Sequence, residues 1–407
     1  MKKTFLYLLT LIAFTYSCTN PAKKEKPYLI ILSMDGFRWD YTDSVATPNF
    51  DAIEKMGVKA ESMQVSFPSK TFPNHYTLVT GLVPDHHGIV NNTFYAPEFD
   101  EVYSIGKRET VQNGKFYYGE PIWNTAEKQG LKAASYFWVG SEANIQNMHP
   151  SIWKPYDHHF DFYQRADSVI SWLNLPEEKR PHLITWYVHE PDGSGHHNGP
   201  HSAKTDSVVQ SLDQLLGYFM QKVAEHPLAD KLNIIITSDH GMENISKNKT
   251  IYLDSLLCDN WTDYVLGGNP IYNIKASPGK KDSIKWALEN VKGISLYENP
   301  NLPSYLNYGT DPRCLDFTLV ADSAYSILQG IPQRGYSKGT HGFDISNKNM
   351  NAIFYAYGPA FKKSYSQPMF KNTDVYPLMC QILGLIPAPN DGDFKELSGM
   401  LKQKNNL

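Results

Sequence analysis

Acidic and imidazole side chains follow three of the most apolar stretches of the chain. LNIIITSDHG ends in Asp239 and His240, YLIILSMDGF contains Asp35, and HLITWYVHEPDGSGH carries Asp192 and, four residues later, His196. A carboxylate is costly to bury without a partner, and several carboxylates at one place require cations. Mixed Asp and His sets suit zinc, and a set of this size suits two zinc ions. Turn formation after a strand remains the alternative reading of each Asp taken singly.

Two further stretches add a histidine and a hydroxyl. His341 lies in the glycine-flanked GTHGFD, and Thr71 lies in SFPSKTFPNHYTLVTG, just before a helix predicted to begin near Pro73. A hydroxyl at a helix N-terminus meets free N–H groups, which can stabilise oxygens as charge develops during attack on phosphorus. The alternative is an ordinary N-cap threonine. His75, in the same stretch, is expected only to pack within the helix.

Buried strands must position these groups. YLIILSM, HLITWYV and LNIIITS are apolar runs typical of parallel strands covered on both faces. A helix predicted over 202–226 precedes the third run, and its apolar positions fall on one face: Val208, Leu212, Leu215, Leu216, Phe219 and Val223. Alternating strands and helices predict an α/β fold with a mostly parallel central sheet flanked by helices on both faces. In such sheets, ligands bind outside the carboxyl ends of the strands.

The chain is predicted to form one large domain over residues 28–391. Residues 251–335 interrupt the alternation, because they are rich in Pro, Gly, Asn and Tyr with only short periodic pieces. We therefore expect a smaller lobe inserted into the α/β core. Residues 392–407 are expected to form a C-terminal tail.

The N-terminus predicts export. MKKTFLYLLTLIAFTYSC has two lysines and then an apolar stretch that is too short to span a membrane, as in a signal peptide over residues 1–18. Cys18 resembles the lipidated first residue of a bacterial lipoprotein, and residues 19–27 would form a polar tether. These features predict a periplasmic or outer-membrane-anchored lipoprotein of a Gram-negative-like bacterium, with membrane attachment through a lipid on Cys18. Simple secretion is the alternative.

Composition excludes some classes of partner. The 407 residues are 41% hydrophobic with a net charge of −4, which is ordinary for a globular protein. This balance predicts no basic surface for nucleic acid or a membrane. The sequence implies no nucleic-acid or protein partner, and a small molecule is the expected ligand.

Four motifs in order carry a family resemblance. KTFPNHYTLVTGLVPDHHGIVNN, EPDGSGHHNGP, TSDHGM and GTHGFD together resemble the nucleotide pyrophosphatase/phosphodiesterase family of the alkaline phosphatase superfamily, from about Tyr28 to residue 391. The resemblance implies an alkaline phosphatase-like core that binds two Zn²⁺. The implied ligands of the two ions are, respectively, Asp35, Thr71, Asp239 and His240, and Asp192, His196 and His341.

The resemblance also implies the remaining site residues. Thr71 would be the nucleophile, and the Asn92 amide would donate to a phosphoryl oxygen. The implied substrate-binding residues are Phe72 and Tyr156, which sandwich the base, Trp138 as a pocket wall, and Lys70. Two departures from the family pattern are Thr93, where a lysine is common, and Glu142, where an aspartate is common.

The implied reaction is hydrolysis of nucleotide phosphodiester or pyrophosphate bonds. It would pass through a covalent nucleotidyl-threonine and release a nucleoside 5′-monophosphate. Two alternatives on the same scaffold remain open at this point. One is a lipid-headgroup phosphodiesterase of the phosphorylcholine type, and the other is a phosphomonoesterase.

Overall fold

A computed structural model describes residues 26–333 and 335–403; the predicted signal peptide and Cys18 lie outside the described residues. The strands are β1 (Tyr28–Met34), β2 (Val58–Ala60), β3 (Met63–Gln64), β4 (Thr93–Ala96), β5 (Glu101–Ser104), β6 (Ala133–Tyr136), β7 (Ile152–Lys154), β8 (Leu183–Val188), β9 (Leu232–Thr237), β10 (Glu243–Asn244), β11 (Thr250–Tyr252), β12 (Thr262–Gly268), β13 (Ile271–Ala276), β14 (Ile294–Glu298), β15 (Phe317–Ala321), β16 (Ser326–Leu328), β17 (Gly339–Thr340), β18 (Phe354–Tyr357), β19 (Tyr365–Gln367) and β20 (Phe370–Lys371).

The helices alternate with these strands over most of the chain. They are α1 (Tyr41–Ser44), α2 (Pro48–Met56), α3 (Thr71–Thr80), α4 (Pro84–His87), α5 (Arg108–Val111), α6 (Ile122–Lys128), α7 (Phe162–Leu173), α8 (Asp192–Asn198), α9 (Ala203–Glu225), α10 (Lys281–Leu288), α11 (Val375–Leu383) and α12 (Phe394–Leu397). Within the described residues, no helix has both the length and the apolar character needed to cross a bilayer.

Eight strands form the central sheet, in the order β19-β2-β18-β9-β1-β8-β6-β7. β1 lies in the middle and pairs in parallel with β8 and with β9. Only β18 runs against its neighbours β2 and β9. The prediction of a mostly parallel sheet is confirmed, and the parallel strands at its centre point their carboxyl ends to one edge.

Helices cover both faces of this sheet, as predicted. Alternate residues of β1 enter two separate buried cores: Leu29 and Ile31 face one, and Ile30 and Leu32 face the other. The side chains of α2, α7 and α9 fill the second core, and those of α3, α6 and α11 fill the first. The predicted apolar face of α9 is confirmed except at one position. Val209 is buried in the core, whereas Val208 is half-buried and lines a cavity.

Residues 251–335 carry a second, smaller sheet. Four antiparallel strands form this sheet in the order β12-β13-β15-β14, and α10 lies between β13 and β14 along the chain. The folded part of the chain also extends past the predicted boundary at residue 391. Leu397 and Met400 are fully buried, and Phe361 forms a β-bridge with Leu401. Residues 394–401 therefore pack on the domain rather than form a tail, because their apolar side chains complete its core.

Candidate active site

The three acidic residues predicted at strand ends meet at the carboxyl edge of the central sheet. Asp35 follows β1, Asp239 lies just after β9, and Asp192 begins α8 beyond β8. Since these strands are parallel neighbours, all three chain segments leave the sheet at one place. The backbone N–H of Asp192 donates to the carbonyl oxygen of Asp35 over 3.0 Å, which joins two of the loops.

Gly36 lets these loops approach each other. Its φ is +67°, and a Cβ at this position would lie 2.9 Å from the Cβ of Asp192. Its backbone N–H donates to Oδ1 of Asp239 over 3.1 Å. A larger residue at position 36 would strain the backbone and separate the carboxylates.

The first group of candidate ligands gathers around His240. Nε2 of His240 lies 3.3 Å from Oδ1 of Asp35 and 3.1 Å from Oδ2 of Asp239. The hydroxyl of Thr71 lies 3.2 Å from the same nitrogen. All four residues implied as the ligands of one ion are therefore adjacent, although they come from three different segments of the chain.

The second group gathers around Asp192. Its Oδ1 lies 3.4 Å from Nε2 of His196, one helical turn later, and 3.6 Å from Nε2 of His341. The rings of His341 and His240 stack with centroids 3.5 Å apart, so the two groups adjoin. Asp192 also lies within ligand range of Asp35 and His240. The predicted gathering of these residues is thus observed.

Backbone carbonyls fix the three histidines of these groups in one tautomer. Nδ1 of His240 lies 2.8 Å from the carbonyl oxygen of Gly241. Nδ1 of His196 lies 2.9 Å from that of Gly339, and Nδ1 of His341 lies 2.8 Å from that of Ser69. An Nδ1–H that donates to a carbonyl leaves the lone pair on Nε2. Each Nε2 faces the carboxylates, which is the arrangement of metal-binding histidines.

Buried oxygens without partners test whether a cation fits. Among the described residues, Oδ1 of Asp35, Oδ1 of Asp192 and Oδ2 of Asp239 are buried and accept no hydrogen bond. Burial and the neighbouring charges of Asp239 and Asp192 raise the pKa of Asp35 to about 7. Unpaired buried carboxylates are costly. A divalent cation would satisfy these oxygens, and the mixed Asp and His donors fit zinc.

Thr71 is the first residue of α3 and lies at the mouth of the site. The N–H of Phe72 donates to Oδ1 of Asn92 over 3.0 Å, which holds the Asn92 side chain beside Thr71. Lys70, just before the helix, has an extended backbone and no side-chain cap. Thr71 therefore lies at the N-terminus of α3, where the positive end of the helix dipole favours a group that develops negative charge.

Two residues that the sequence did not indicate contact these carboxylates. Nδ1 of His75 lies 3.2 Å from Oδ2 of Asp239 and 3.0 Å from the carbonyl oxygen of Thr71. The hydroxyl of Tyr187 donates to Oδ2 of Asp35 over 2.6 Å. The expectation that His75 only packs within α3 is therefore wrong. The helix and strand patterns of the sequence do not indicate the contact of His75 with Asp239 or that of Tyr187 with Asp35, because each contact joins residues that are far apart along the chain.

A cavity of about 690 Å³ opens beside Thr71. Three of the predicted substrate-binding residues, Phe72, Trp138 and Tyr156, line it. The indole N–H of Trp138 donates to the carbonyl oxygen of His75 over 3.0 Å, which fixes that wall against α3. This volume is typical of small-molecule sites, and its aromatic faces suit a planar ring.

A charged pair that the sequence did not predict lies in the same cavity. Arg108, in α5, forms an ion pair with Glu142, and Glu142 also accepts from the backbone N–H of Tyr156 over 2.9 Å. The departure at residue 142 is thereby explained as a structural contact. Arg108 and Glu142 lie far apart along the chain, so no local pattern indicates the pair.

Lys70 is the exception among the predicted substrate-binding residues. Its ammonium donates to the carbonyl oxygen of Asn269 over 2.6 Å, and the side chain is buried outside the cavity that Phe72 lines. Burial lowers the pKa of Lys70 to about 7, and the charge of Asp192 opposes this shift. The backbone at Lys70 is extended, whereas Thr71 begins a helix. The side chains of these two consecutive residues therefore point in different directions.

Comparison with known proteins identifies the family. The profile of the type I phosphodiesterase / nucleotide pyrophosphatase family matches residues 29–344. The chain belongs to this family. Its members with curated descriptions include venom phosphodiesterase CdcPDE of Crotalus durissus collilineatus, which is 37% identical over 394 residues, or 94% of this chain and 47% of that one. Human ectonucleotide pyrophosphatase/phosphodiesterase family member 1 is 37% identical over 395 residues, which are 94% of this chain and 42% of the human protein.

Solved phosphodiesterase structures agree with the fold. Murine ectonucleotide pyrophosphatase/phosphodiesterase 5, as an inactive threonine-to-alanine variant in complex with AMP, has a TM-score of 0.89 and 33% identity, over 93% of this chain and all of that one. The chain spans slightly under half the length of the curated relatives named above. Family membership and the α/β fold are confirmed, whereas the roles of single residues remain predictions.

Proposed function

We propose that this chain hydrolyses nucleotide phosphodiester or pyrophosphate bonds through a covalent nucleotidyl-threonine at Thr71 and releases a nucleoside 5′-monophosphate. One observation carries the proposal. The Thr71 hydroxyl lies between the ligand group around His240, 3.2 Å away, and an aromatic cavity of nucleoside size. The murine relative, inactive as a threonine-to-alanine variant and bound to AMP, supports both the nucleophile and the ligand class.

The reaction would proceed in two displacements. In the first, Oγ1 of Thr71 loses its proton to solvent and attacks phosphorus, and the bond from phosphorus to the leaving oxygen breaks with its electron pair. The Asn92 amide, held beside Thr71 by the N–H of Phe72, would orient a phosphoryl oxygen. In the second, water attacks phosphorus, the bond to Oγ1 breaks, and the water's remaining protons restore the threonine hydroxyl and neutralise the product. The aromatic walls hold the nucleoside throughout.

We propose Zn²⁺ at both ligand groups, because their Asp and His donors and unpartnered oxygens fit it. One ion would bind Asp35, Thr71, Asp239 and His240, and the other would bind Asp192, His196 and His341. Bound there, zinc would supply positive charge that lowers the pKa of hydroxyl and water ligands and attracts phosphoryl oxygens. Elemental analysis of the active enzyme should find two zinc ions per chain.

Two contacts favour a diester over the alternative substrates. Arg38 is buried, pairs with Asp40 over 2.6 Å and donates to the carbonyl oxygen of Met242, so it is not available for the third oxygen of a monoester. Glu142 pairs with Arg108, so it is not available to a choline cation. The aromatic cavity instead provides faces for a base, where each stacking contact contributes about 1–3 kcal/mol.

A single substitution tests the nucleophile. Thr71→Ala should lower kcat at least about a thousandfold, because no oxygen remains to form the intermediate. It should keep most of its zinc, because Asp35, Asp239 and His240 remain as ligands. Thr71→Ser, which keeps a hydroxyl, should retain measurable turnover. Rapid quenching of the wild type followed by mass spectrometry should find the nucleotidyl adduct on the Thr71 peptide. A Thr71→Ala enzyme that kept more than a few per cent of activity would refute the covalent route.

Matched chromogenic substrates test the specificity. With zinc present, the p-nitrophenyl ester of thymidine 5′-monophosphate should be cleaved faster than p-nitrophenyl phosphorylcholine and p-nitrophenyl phosphate. A faster phosphorylcholine reaction would assign the chain to lipid headgroups, and a faster monoester reaction would assign it to monoesters.

We also propose that the chain is exported and anchored in the membrane by a lipid on Cys18, from the N-terminal sequence alone. Mass spectrometry of the N-terminal peptide should find a diacylglyceryl-modified Cys18. An unmodified N-terminus released into the medium would instead indicate simple secretion.

A further inference from the structure

A second large cavity lies at the end of the central sheet opposite the active site. It has a volume of about 630 Å³, and its lining includes Lys26, Lys132, Arg180, His182 and Lys231. We call it the basic cavity. Glu177 and Glu178 also line it, so Lys26, Lys132 and Arg180 by themselves outnumber the carboxylates of the lining. This local excess of positive charge contrasts with the net charge of −4 of the whole chain.

The position of these cations follows from strand direction. Lys26 lies just before β1, Lys132 directly before β6, and Lys231 directly before β9. Arg180 comes three residues before β8. Since β9, β1, β8 and β6 are parallel neighbours, their amino ends share one edge. The candidate ligands lie at the opposite edge, across a seven-residue strand of about 23 Å.

Three cations of the basic cavity contact neutral groups rather than carboxylates. Within the described parts of the chain, Lys26, Lys132 and Arg180 pair with no carboxylate. Lys26 donates to the carbonyl oxygen of Gly130 over 2.9 Å, Arg180 donates to that of Leu175 over 2.9 Å, and Lys132 lies 3.4 Å from Oγ of Ser151. Neutral acceptors orient the side chains without neutralising them, so the cavity attracts anions.

The start of the described chain connects this edge to the predicted anchor. Lys26 lies eight residues after Cys18, and a chain of that length can reach at most about 28 Å. A lipid on Cys18 would therefore keep the basic cavity near the headgroups of the membrane. Basic residues close to a bilayer are attracted by anionic lipids.

We propose that the basic cavity docks on the phosphate headgroups of an anionic lipid bilayer and turns the active site away from the membrane. The inference rests on the proposed lipid anchor for proximity, and it is independent of the hydrolytic activity. The net charge of −4 is summed over the whole chain, so it is compatible with a basic cavity at one edge of the sheet.

Chemical labelling of lysines tests the contact on the full mature chain. The protein is mixed with vesicles of phosphatidylcholine alone or with about 30% phosphatidylglycerol, and amine acylation is followed residue by residue by mass spectrometry. Lys26 and Lys132 should react several-fold more slowly on the anionic vesicles, and 0.5 M NaCl should remove about all of this protection, because salt screens exposed charges. Lys204 and Lys292, exposed elsewhere, should react equally on both. Equal labelling of Lys26 and Lys132 on the two vesicles would overturn the proposal.

Charge reversal supplies the matched variants. Each cation near an anionic surface changes the partition about fivefold, so Lys26→Glu with Lys132→Glu should weaken binding to anionic vesicles at least about 25-fold. Lys204→Glu with Lys292→Glu carries the same change in net charge and should bind like the wild type. Equal weakening by both pairs would indicate a non-specific charge effect and refute the assigned face.

Two arms separate the possible causes. Inorganic phosphate without vesicles should leave Lys26 and Lys132 fully reactive toward the acylating reagent. If phosphate alone protected both lysines, the ligand of the basic cavity would be a free anion and the bilayer proposal would be refuted. A chain that lacks the lipid should stay in solution with phosphatidylcholine vesicles yet still bind anionic ones, whereas loss of both would overturn the docking site. Hydrolysis of a soluble nucleotide ester by the Lys26→Glu, Lys132→Glu variant should match the wild type, which separates this test from that of the proposed reaction.

Discussion

At the scale of single residues, the site depends on the groups that contact the candidate metal ligands as well as on those ligands. Tyr187 hydrogen-bonds the Asp35 carboxylate, and Nδ1 of His75 lies 3.2 Å from the Asp239 carboxylate. Burial would raise the pKa of Asp239, but the charges of His240 and His75 hold it well below its usual range. Asp35 and Asp239 are thus chemically similar residues that their neighbours make different.

Tyr187→Phe should weaken metal binding about tenfold and lower kcat by a similar factor, because outer contacts that orient a ligand contribute 10–100-fold. The Asp35 carboxylate would lose its donor at 2.6 Å and gain rotational freedom. Zinc affinity by competition with a chelating dye, together with kcat, checks this expectation.

Tyr355→Phe is the matched control for that substitution. It removes a buried tyrosine hydroxyl that hydrogen-bonds Thr42 over 2.8 Å, away from the candidate ligands. Both variants should lose about 1 kcal/mol of stability, but only Tyr187→Phe should lose zinc. Equal zinc affinity in the two variants would assign Tyr187 a purely structural role.

At the scale of elements, α3 and α4 form the support beneath the nucleophile. His87 ends α4 and is fully buried. Its Nδ1 accepts from the N–H of Ile89 over 3.2 Å, and its Nε2 lies 3.1 Å from the carbonyl oxygen of Pro73. This arrangement requires the neutral ring. Burial lowers the pKa of His87 to about 3.

Acid should therefore destabilise this element. The unfolded chain takes up a proton at His87 below about pH 6.5, whereas the folded chain does so only near pH 3. Stability from His87 is complete above pH 6.5 and falls as the pH decreases toward 3, by about 2 kcal/mol at pH 5. Urea unfolding at pH 7.5 and pH 5 should find a steeper decline for the wild type than for His87→Asn. Parallel declines would contradict the buried neutral ring.

At the scale of the whole molecule, a buried arginine joins the small lobe to the core. Arg313, in the lobe, donates to the carbonyl oxygens of Gly88 and Phe116 over 2.6 and 2.7 Å, and it pairs with Glu98. Its side chain is 1% exposed. The aromatic residues behind the cavity beside Thr71 lie next to this contact, since Phe116 packs on Tyr103 and Tyr103 packs on Phe72.

Arg313→Met should lower the free energy of unfolding by about 3–5 kcal/mol, because Glu98 and two carbonyls lose a buried partner. Lys281→Met is the control. It breaks an ion pair with Asp316 in which the lysine is half exposed, and it should cost less than about 1 kcal/mol. Chemical denaturation measures both, and similar losses in the two variants would mean that the lobe is held by other contacts.

The central architecture could be predicted because its causes are local. The apolar, β-branched run Ile234–Ile236 favours a buried strand, and parallel strands bring Asp35, Asp192 and Asp239 to one edge of the sheet. The face of α9 was placed correctly except at Val208, where a cavity replaces the core. A period of 3.6 residues locates the apolar side of a helix but cannot distinguish a core from a binding site.

By itself, the sequence determined the fold class, the family and the gathering of acids and histidines, since each follows from local patterns and strand direction. Only the tertiary structure decided that Tyr187 and His75 hold the carboxylates, that Lys70 is buried away from the cavity and that Arg108 enters it. The basic cavity is likewise a feature that only the tertiary structure reveals. These contacts join residues that are distant along the chain, and neither composition nor periodicity records a distance in space.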